Sequence, residues 1–128
     1  MSKQSFNAEL INSNETIKAG LVIYKFKEDN IHVIYCPSLD LSAYGKTEKE
    51  AENEFAEIFK IHITYCLNEK TLENDLIKHG WHLINPKKKK IKAPTIEEML
   101  KNNDTLRDII YNKDYVKTKE SVEIPQFA

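Results

Sequence analysis

His32, Cys36, His62 and Cys66 are side chains of kinds that bind zinc, each of these histidines standing four residues before a cysteine. Their spacing divides them into two pairs. His32 and Cys36 fall four residues apart in a β-branched run, about 13 Å along a strand at roughly 3.3 Å per residue, too far to share one ion. His62 and Cys66 stand one turn apart on a predicted helix and could reach a common ion, but both lie on its apolar stripe, where they read as packing residues. No metal and no cofactor is expected. A ribonuclease-H-like metal enzyme would need several carboxylates gathered on adjacent elements. Asp40 stands nearly alone at the predicted sheet, and Glu48, Glu52 and Glu54 belong to the solvated early turns of a helix, where negative charge complements the dipole. There is no G-x-S-x-G, and neither thiol has a local activating context. No catalytic residue is expected, and the chain reads as a non-enzyme. Lys87, Lys88, Lys89, Lys90 and Lys92 form a basic run that could touch phosphates, with Trp81 nearby to stack on a base. The same run also reads as a solvated loop after a strand.

The elements that would position these residues are densest between Ile31 and Tyr65. Ile31 to Cys36 is a β-branched and aromatic run stopped by Pro37, which has no N–H for a continuing ladder. Leu39, Leu41 and Ala43 alternate with Ser38, Asp40 and Ser42, predicting a further strand with one face inward. Gly45 supplies a turn. Thr47 with Glu50 makes a capping box, so a helix is predicted from Glu48, with Ala51, Phe55, Ile58, Phe59, His62 and Cys66 on one side. Upstream, Gly20 to Lys27 is almost continuously apolar, as expected of a central strand covered on both faces. Glu28, Asp29 and Asn30 then turn it into an antiparallel hairpin. Downstream, Thr71 is a candidate cap for a short helix with Leu72, Leu76 and Ile77, closed by Gly80 in a left-handed conformation. Trp81 to Ile84 reads as a fourth strand. Thr95 and Glu98 cap another helix that pauses near Asn102-Asn103 and restarts at Asp104 or Thr105. Tyr115, Val116, Thr118, Val122 and Ile124 belong to a long alternating terminal strand stopped by Pro125, a candidate for pairing within the chain or with a second copy.

Within this stretch, Tyr35-Cys36-Pro37-Ser38-Leu39-Asp40-Leu41, then Ala43-Tyr44-Gly45-Lys46-Thr47, then Glu50-Ala51-Glu52-Asn53, the order of residues resembles the HicB antitoxin family. The resemblance runs roughly from Ala19 to Ile84, and its motif positions here are Pro37, Leu39, Asp40, Gly45, Thr47, Glu50 and Ala51. It implies a partial ribonuclease H fold and a protein that occludes a small basic RNA-cleaving toxin of HicA-like type. It does not carry over the family's usual DNA-binding tail, because the residues after Pro86 read helix then strand.

The fold expected is therefore α+β: an antiparallel sheet of three or four strands with a long amphipathic helix on one face, plus a C-terminal helix and a terminal strand. Residues 1–16 read as a tail or edge strand and 17–86 as the core. Residues 87–128 read as a basic linker, helix and strand packed on the core or on a second protomer. A net charge of −1 over 128 residues gives no global pull toward nucleic acid or membrane, so a partner must be met by a local patch. No run nears the roughly 18 apolar residues of a spanning helix, 1–14 has no signal-peptide core, and two cysteines fit reduced thiols, so a cytoplasmic protein is expected. The function expected is non-catalytic antitoxin, with Glu48, Glu52 and Glu54 facing the basic partner. The alternative is a solitary HicB-like dimer that binds RNA or another ligand through Lys87 to Lys92.

Overall fold

The structure, a computed structural model, describes residues 6–7, 16–85 and 90–125. Its sheet grows from the hairpin at Asp29-Asn30. Both residues take left-handed backbone, φ 51° and 65°, the pair of positive φ values that a two-residue turn needs to match the twist of its flanking strands. The turn joins β2 (Thr16–Glu28) to β3 (Ile31–Cys36), and β4 (Leu41–Gly45) adds antiparallel to β3. The third strand thus begins at Leu41, later than the alternation from Ser38 predicts. Pro37 to Asp40 is a turn, closed by Leu39 N–H and Asp40 N–H donating to the carbonyls of Cys36 and Pro37, with Asp40 at φ 53°. Leu39 still drops its side chain into the core.

Helix α1 (Glu48–Asn68) begins where the capping residues predict. Thr47 Oγ1 accepts from Glu50 N–H at 3.1 Å, while the Glu50 carboxylate reaches back one residue further than a standard capping box, accepting from Lys46 N–H at 2.9 Å. Gly45 has another reason than the turn expected of it. Its φ is ordinary, but a Cβ there would lie 2.4 Å from the Ala51 amide nitrogen and 2.9 Å from the Glu50 carbonyl carbon, so only glycine lets β4 pass under the start of α1. The buried stripe of α1 is Ala51, Phe55, Phe59, Ile63 and Cys66. Ile58 and His62 lie at its flank, half-buried.

Two further strands complete the sheet and differ from expectation. The fourth main strand is β7 (Tyr115–Pro125), which pairs antiparallel with β2 from Phe26↔Tyr115 to Thr16↔Pro125. A two-residue β1 (Phe6–Asn7) lies parallel on its other side at Val122 and Glu123, giving the order β1-β7-β2-β3-β4. The terminal strand is therefore paired along one whole side within its own chain, and β1 meets its other side only at Val122 and Glu123. Conversely β5 (His82–Asn85), read from the sequence as the fourth strand, pairs among the described residues only with β6 (Lys90–Lys92), in a separate ribbon. Of the expected tail or edge strand over 1–16, residues 6–7 form β1 and Thr16 opens β2, while 1–5 and 8–15 lie outside the described residues.

Because β2 is central, its alternate residues serve two cores. Leu21 and Ile23 face α1, together with Ile34, Cys36, Ala43, Val122 and Ile124. Tyr24 faces the other way with Tyr35, and there meets Met99 of α3 (Ile96–Asn102) and Leu106 and Ile109 of α4 (Asp104–Asn112). Residues 90–125 thus pack on the core of their own chain. Thr95 and Glu98 form the reciprocal capping box expected of α3, and Asn103 caps α4 by accepting from Leu106 N–H at 2.9 Å. Helix α2 (Leu72–Lys78) ends with Gly80 at φ 91°, its N–H donating to Ile77 and that of Trp81 to Leu76. Thr71 does not cap α2 with its side chain; its hydroxyl donates instead to the Cys66 carbonyl at 3.4 Å. Among the described residues no helix is long and apolar enough to cross a membrane.

Candidate functional site

The residues that carry the family resemblance stand at the two ends of β4, in the turn before it and at the start of α1 after it. Pro37 and Leu39 build the β3–β4 turn, Gly45 and Ala51 make the close approach, and Thr47 and Glu50 cap the helix. Asp40 accepts from the Tyr35 hydroxyl at 2.9 Å, and Asn103 donates its side-chain amide to that same hydroxyl at 2.9 Å. Burial pushes the Tyr35 phenol up to about 12; the Asn103 bond pulls the other way and Asp40 adds to the rise. Each of these residues has a fold-building contact.

The expected partner face divides. Glu48 and Glu54 are exposed as the sequence predicts. Glu52 is not available: its carboxylate is bound at 2.8 Å to Nζ of Lys25, which stands on the central strand β2. What replaces it is a second stripe, on the outward side of α1. Glu50, Glu54, Glu57, Ile61 and Tyr65 follow one another at steps of three and four, so they share one face. Ile61 is 59 % exposed and Tyr65 63 %, and with Glu57, Lys60, Thr64 and Asn68 they border a shallow apolar hollow. Sequence reasoning missed Ile61 and Tyr65. Their signal was present in the same three-and-four spacing that marks the inward stripe, read on the opposite side.

Lys87, Lys88 and Lys89 lie outside the described residues, and of Lys90 only its place in β6 is described; Lys92 is exposed. Trp81 is not a stacking platform. It is 3 % exposed and its indole N–H donates to the Ser38 carbonyl at 2.7 Å, pinning the β3–β4 turn to the start of β5. Of the expected terminal-strand residues, Val122 and Ile124 are buried under α1, Tyr115 joins the opposite core, and Val116 is exposed.

The thiols also separate. Cys36 is enclosed, with Sγ 3.5 Å from Ser38 Oγ, and burial pushes it up to about 11. His32 is half-buried on the same strand and shares no ligand cluster with it. Cys66 and His62 are close, Sγ to Nε2 3.8 Å, and α2 brings Asp75 against them, its Oδ2 2.9 Å from His62 Nε2. His62, Cys66 and Asp75 are the one set of three metal-ligating side chains that converges among the described residues. A polar cleft of about 460 Å³ opens on the other side of α2, bordered by Asp40, His79, Glu98 and Asn103.

Compared with known proteins, the chain matches no family model, no curated protein and no solved structure.

Proposed function

We propose that this protein is a non-catalytic antitoxin of HicB-like type, binding and neutralising a small basic RNA-cleaving partner of HicA-like type. The observation that carries the reading is the outward stripe of α1. Glu54 and Glu57 stand in solvent without an ion-pair partner among the described residues, and Ile61 and Tyr65 continue their line as exposed apolar side chains. An acidic run steers a basic partner and an aromatic beside it anchors the contact, the division of labour common at protein interfaces. The resemblance across Ala19 to Ile84 supplies the partner class. Beside the stripe, β4 has no strand on its outer side among the described residues, an edge to which an extended segment can add.

A cytoplasmic setting belongs to this reading, supported by two free, buried thiols. So does a homodimer, for β7 keeps an outer edge from Tyr115 to Ser121 with no strand on it among the described residues.

The test is a pull-down from the native host, followed by RNA cleavage by the captured protein with and without the chain. A small basic ribonuclease silenced by the chain is the expected result. Glu54→Lys with Glu57→Lys should slow association about tenfold at low salt, and Tyr65→Ala should speed dissociation, with the fold intact. Capture of no such protein, together with direct RNA binding lost on neutralising Lys87 to Lys90, would overturn the reading in favour of an RNA-binding module.

A further inference from the structure

The sequence places His62 and Cys66 one helical turn apart, and on the next helix it repeats that spacing with Asp75 and His79. Residues four apart share a helix face. The intervening turn lets the two faces meet: Lys70 takes a left-handed φ of 58°, and Thr71 N–H donates to the Cys66 carbonyl at 2.8 Å, folding α2 back against the end of α1. His62 Nε2 then lies 2.9 Å from Asp75 Oδ2 and 3.8 Å from Cys66 Sγ, and all three ligand atoms fall within 4.8 Å of one another. His79 Nδ1 is 3.5 Å from the same Asp75 oxygen and 2.8 Å from the Asp75 carbonyl.

We propose that His62, Cys66 and Asp75 form a binding site for a zinc-class divalent cation that clamps α2 to α1. Bonds of about 2.0–2.3 Å in a tetrahedron leave ligand atoms about 3.3–3.7 Å apart. The sulfur and imidazole, 3.8 Å apart, stand just beyond that separation and the carboxylate and imidazole, 2.9 Å apart, just inside it, so shifts of a few tenths of an ångström bring each pair to it. One nitrogen, one sulfur and one oxygen donor select zinc or cobalt; calcium and magnesium take oxygen ligands. The sulfur is almost enclosed, Cys66 being 4 % exposed, while the His62 and Asp75 side chains keep about a fifth of their surface in solvent. The cation therefore has an entry path on one side and an apolar wall on the other. That open side leaves the fourth position to water. The site is independent of partner binding by the outward stripe of α1.

The test is titration of the tag-free full chain, stripped with a chelator, with Co²⁺. One equivalent should bind with a thiolate-to-cobalt charge-transfer band, and Zn²⁺ should displace it. Cys66→Ser should abolish the band and Cys36→Ser should keep it. Asp75→Asn and His62→Gln should each weaken binding at least about tenfold, the range that removing a metal site's supporting contacts already reaches. Zn²⁺ should raise the unfolding temperature of the parent chain, and raise that of Asp75→Asn less at the same concentration. If Cys66→Ser does not fold, the Asp75→Asn and His62→Gln titrations decide. Absence of the band in the parent chain, or affinity unchanged in Asp75→Asn and His62→Gln, would overturn the proposal and leave a hydrogen-bonded His–Asp pair.

Discussion

On one face of the sheet, α1 lays Ala51, Phe55, Phe59 and Ile63 onto Leu21, Ile23, Ile34 and Ala43. On the other, α3 and α4 reach Tyr24 and Tyr35 with only Met99, Leu106 and Ile109 withdrawn from solvent. The first layer is a single helix of 21 residues, the second two helices of 7 and 9. A long helix excludes water along its whole stripe, so its attachment is mostly dispersive and apolar, with the Glu52–Lys25 ion pair at its flank. Two short helices cover less, and their attachment draws on directed polar contacts: the Tyr35 hydroxyl between Asp40 and Asn103, the residue that also caps α4. The two faces teach that one strand can be held by different physics on its two sides, and that the thinner layer opens first.

The largest effect that would break this contrast is in the cores themselves. Phe59→Ala should lower unfolding free energy by about 3–5 kcal/mol and Leu106→Ala by about 2–3 kcal/mol, measured by urea unfolding. Equal losses would mean that the layers are equivalent. Next, Tyr35→Phe removes the hydroxyl and strands the Asn103 amide, for an expected loss of about 1–2 kcal/mol. Its pH behaviour sharpens the point. The phenol is raised above its ordinary 10.0 to about 12 in the fold. The stability it contributes is therefore fully present below pH 10 and lost as pH climbs through about 12. Spectroscopic titration of the tyrosines should show this late component, absent in the Phe variant.

The smallest effect is at the start of α3. The Thr95 amide and the His82 imidazole beside the Glu98 carboxylate hold it well below its ordinary 4.5, down to about 2. Being depressed, it stabilises above pH 4.5 and loses that contribution as pH falls toward 2. An NMR titration of the side-chain carboxyl should give a midpoint near 2, moving part of the way back toward the ordinary value in His82→Ala.

How much was legible in the sequence follows the range of the interactions. The Thr47 and Thr95 caps, the Asp29-Asn30 turn, the Gly80 terminus and most of the α1 stripe depend on residues within a few positions, and all were readable. Partner choice between strands was not: nothing local tells β7 to pair with β2 or β5 to leave the sheet, since both have ordinary strand patterns. The same limit governs the functional residues. His62 and Cys66 were visible as a pair, but Asp75 reaches them only through the α1–α2 turn. Glu52 looked free until Lys25, on a strand far earlier in the chain, was placed beside it. Trp81 looked like an exposed aromatic next to lysines until the Ser38 carbonyl claimed its indole.

The ladder that closes β2 against β7 also sets the order in which the molecule can assemble. The hairpin of β2 with β3 needs only a two-residue turn and can form early, on the microsecond scale of isolated hairpins. The other side of β2 must wait for Tyr115 to Pro125, which pair with Phe26 back to Thr16. Joining segments so remote in sequence carries a large loop-closure entropy before any contact repays it, and such topologies fold slowly. In the interval β2 presents its open backbone, flanked by Leu21, Val22 and Ile23, to any other chain at hand. Folding of this protein is thus most vulnerable to aggregation through its central strand, and the last strand acts as the guard of that edge.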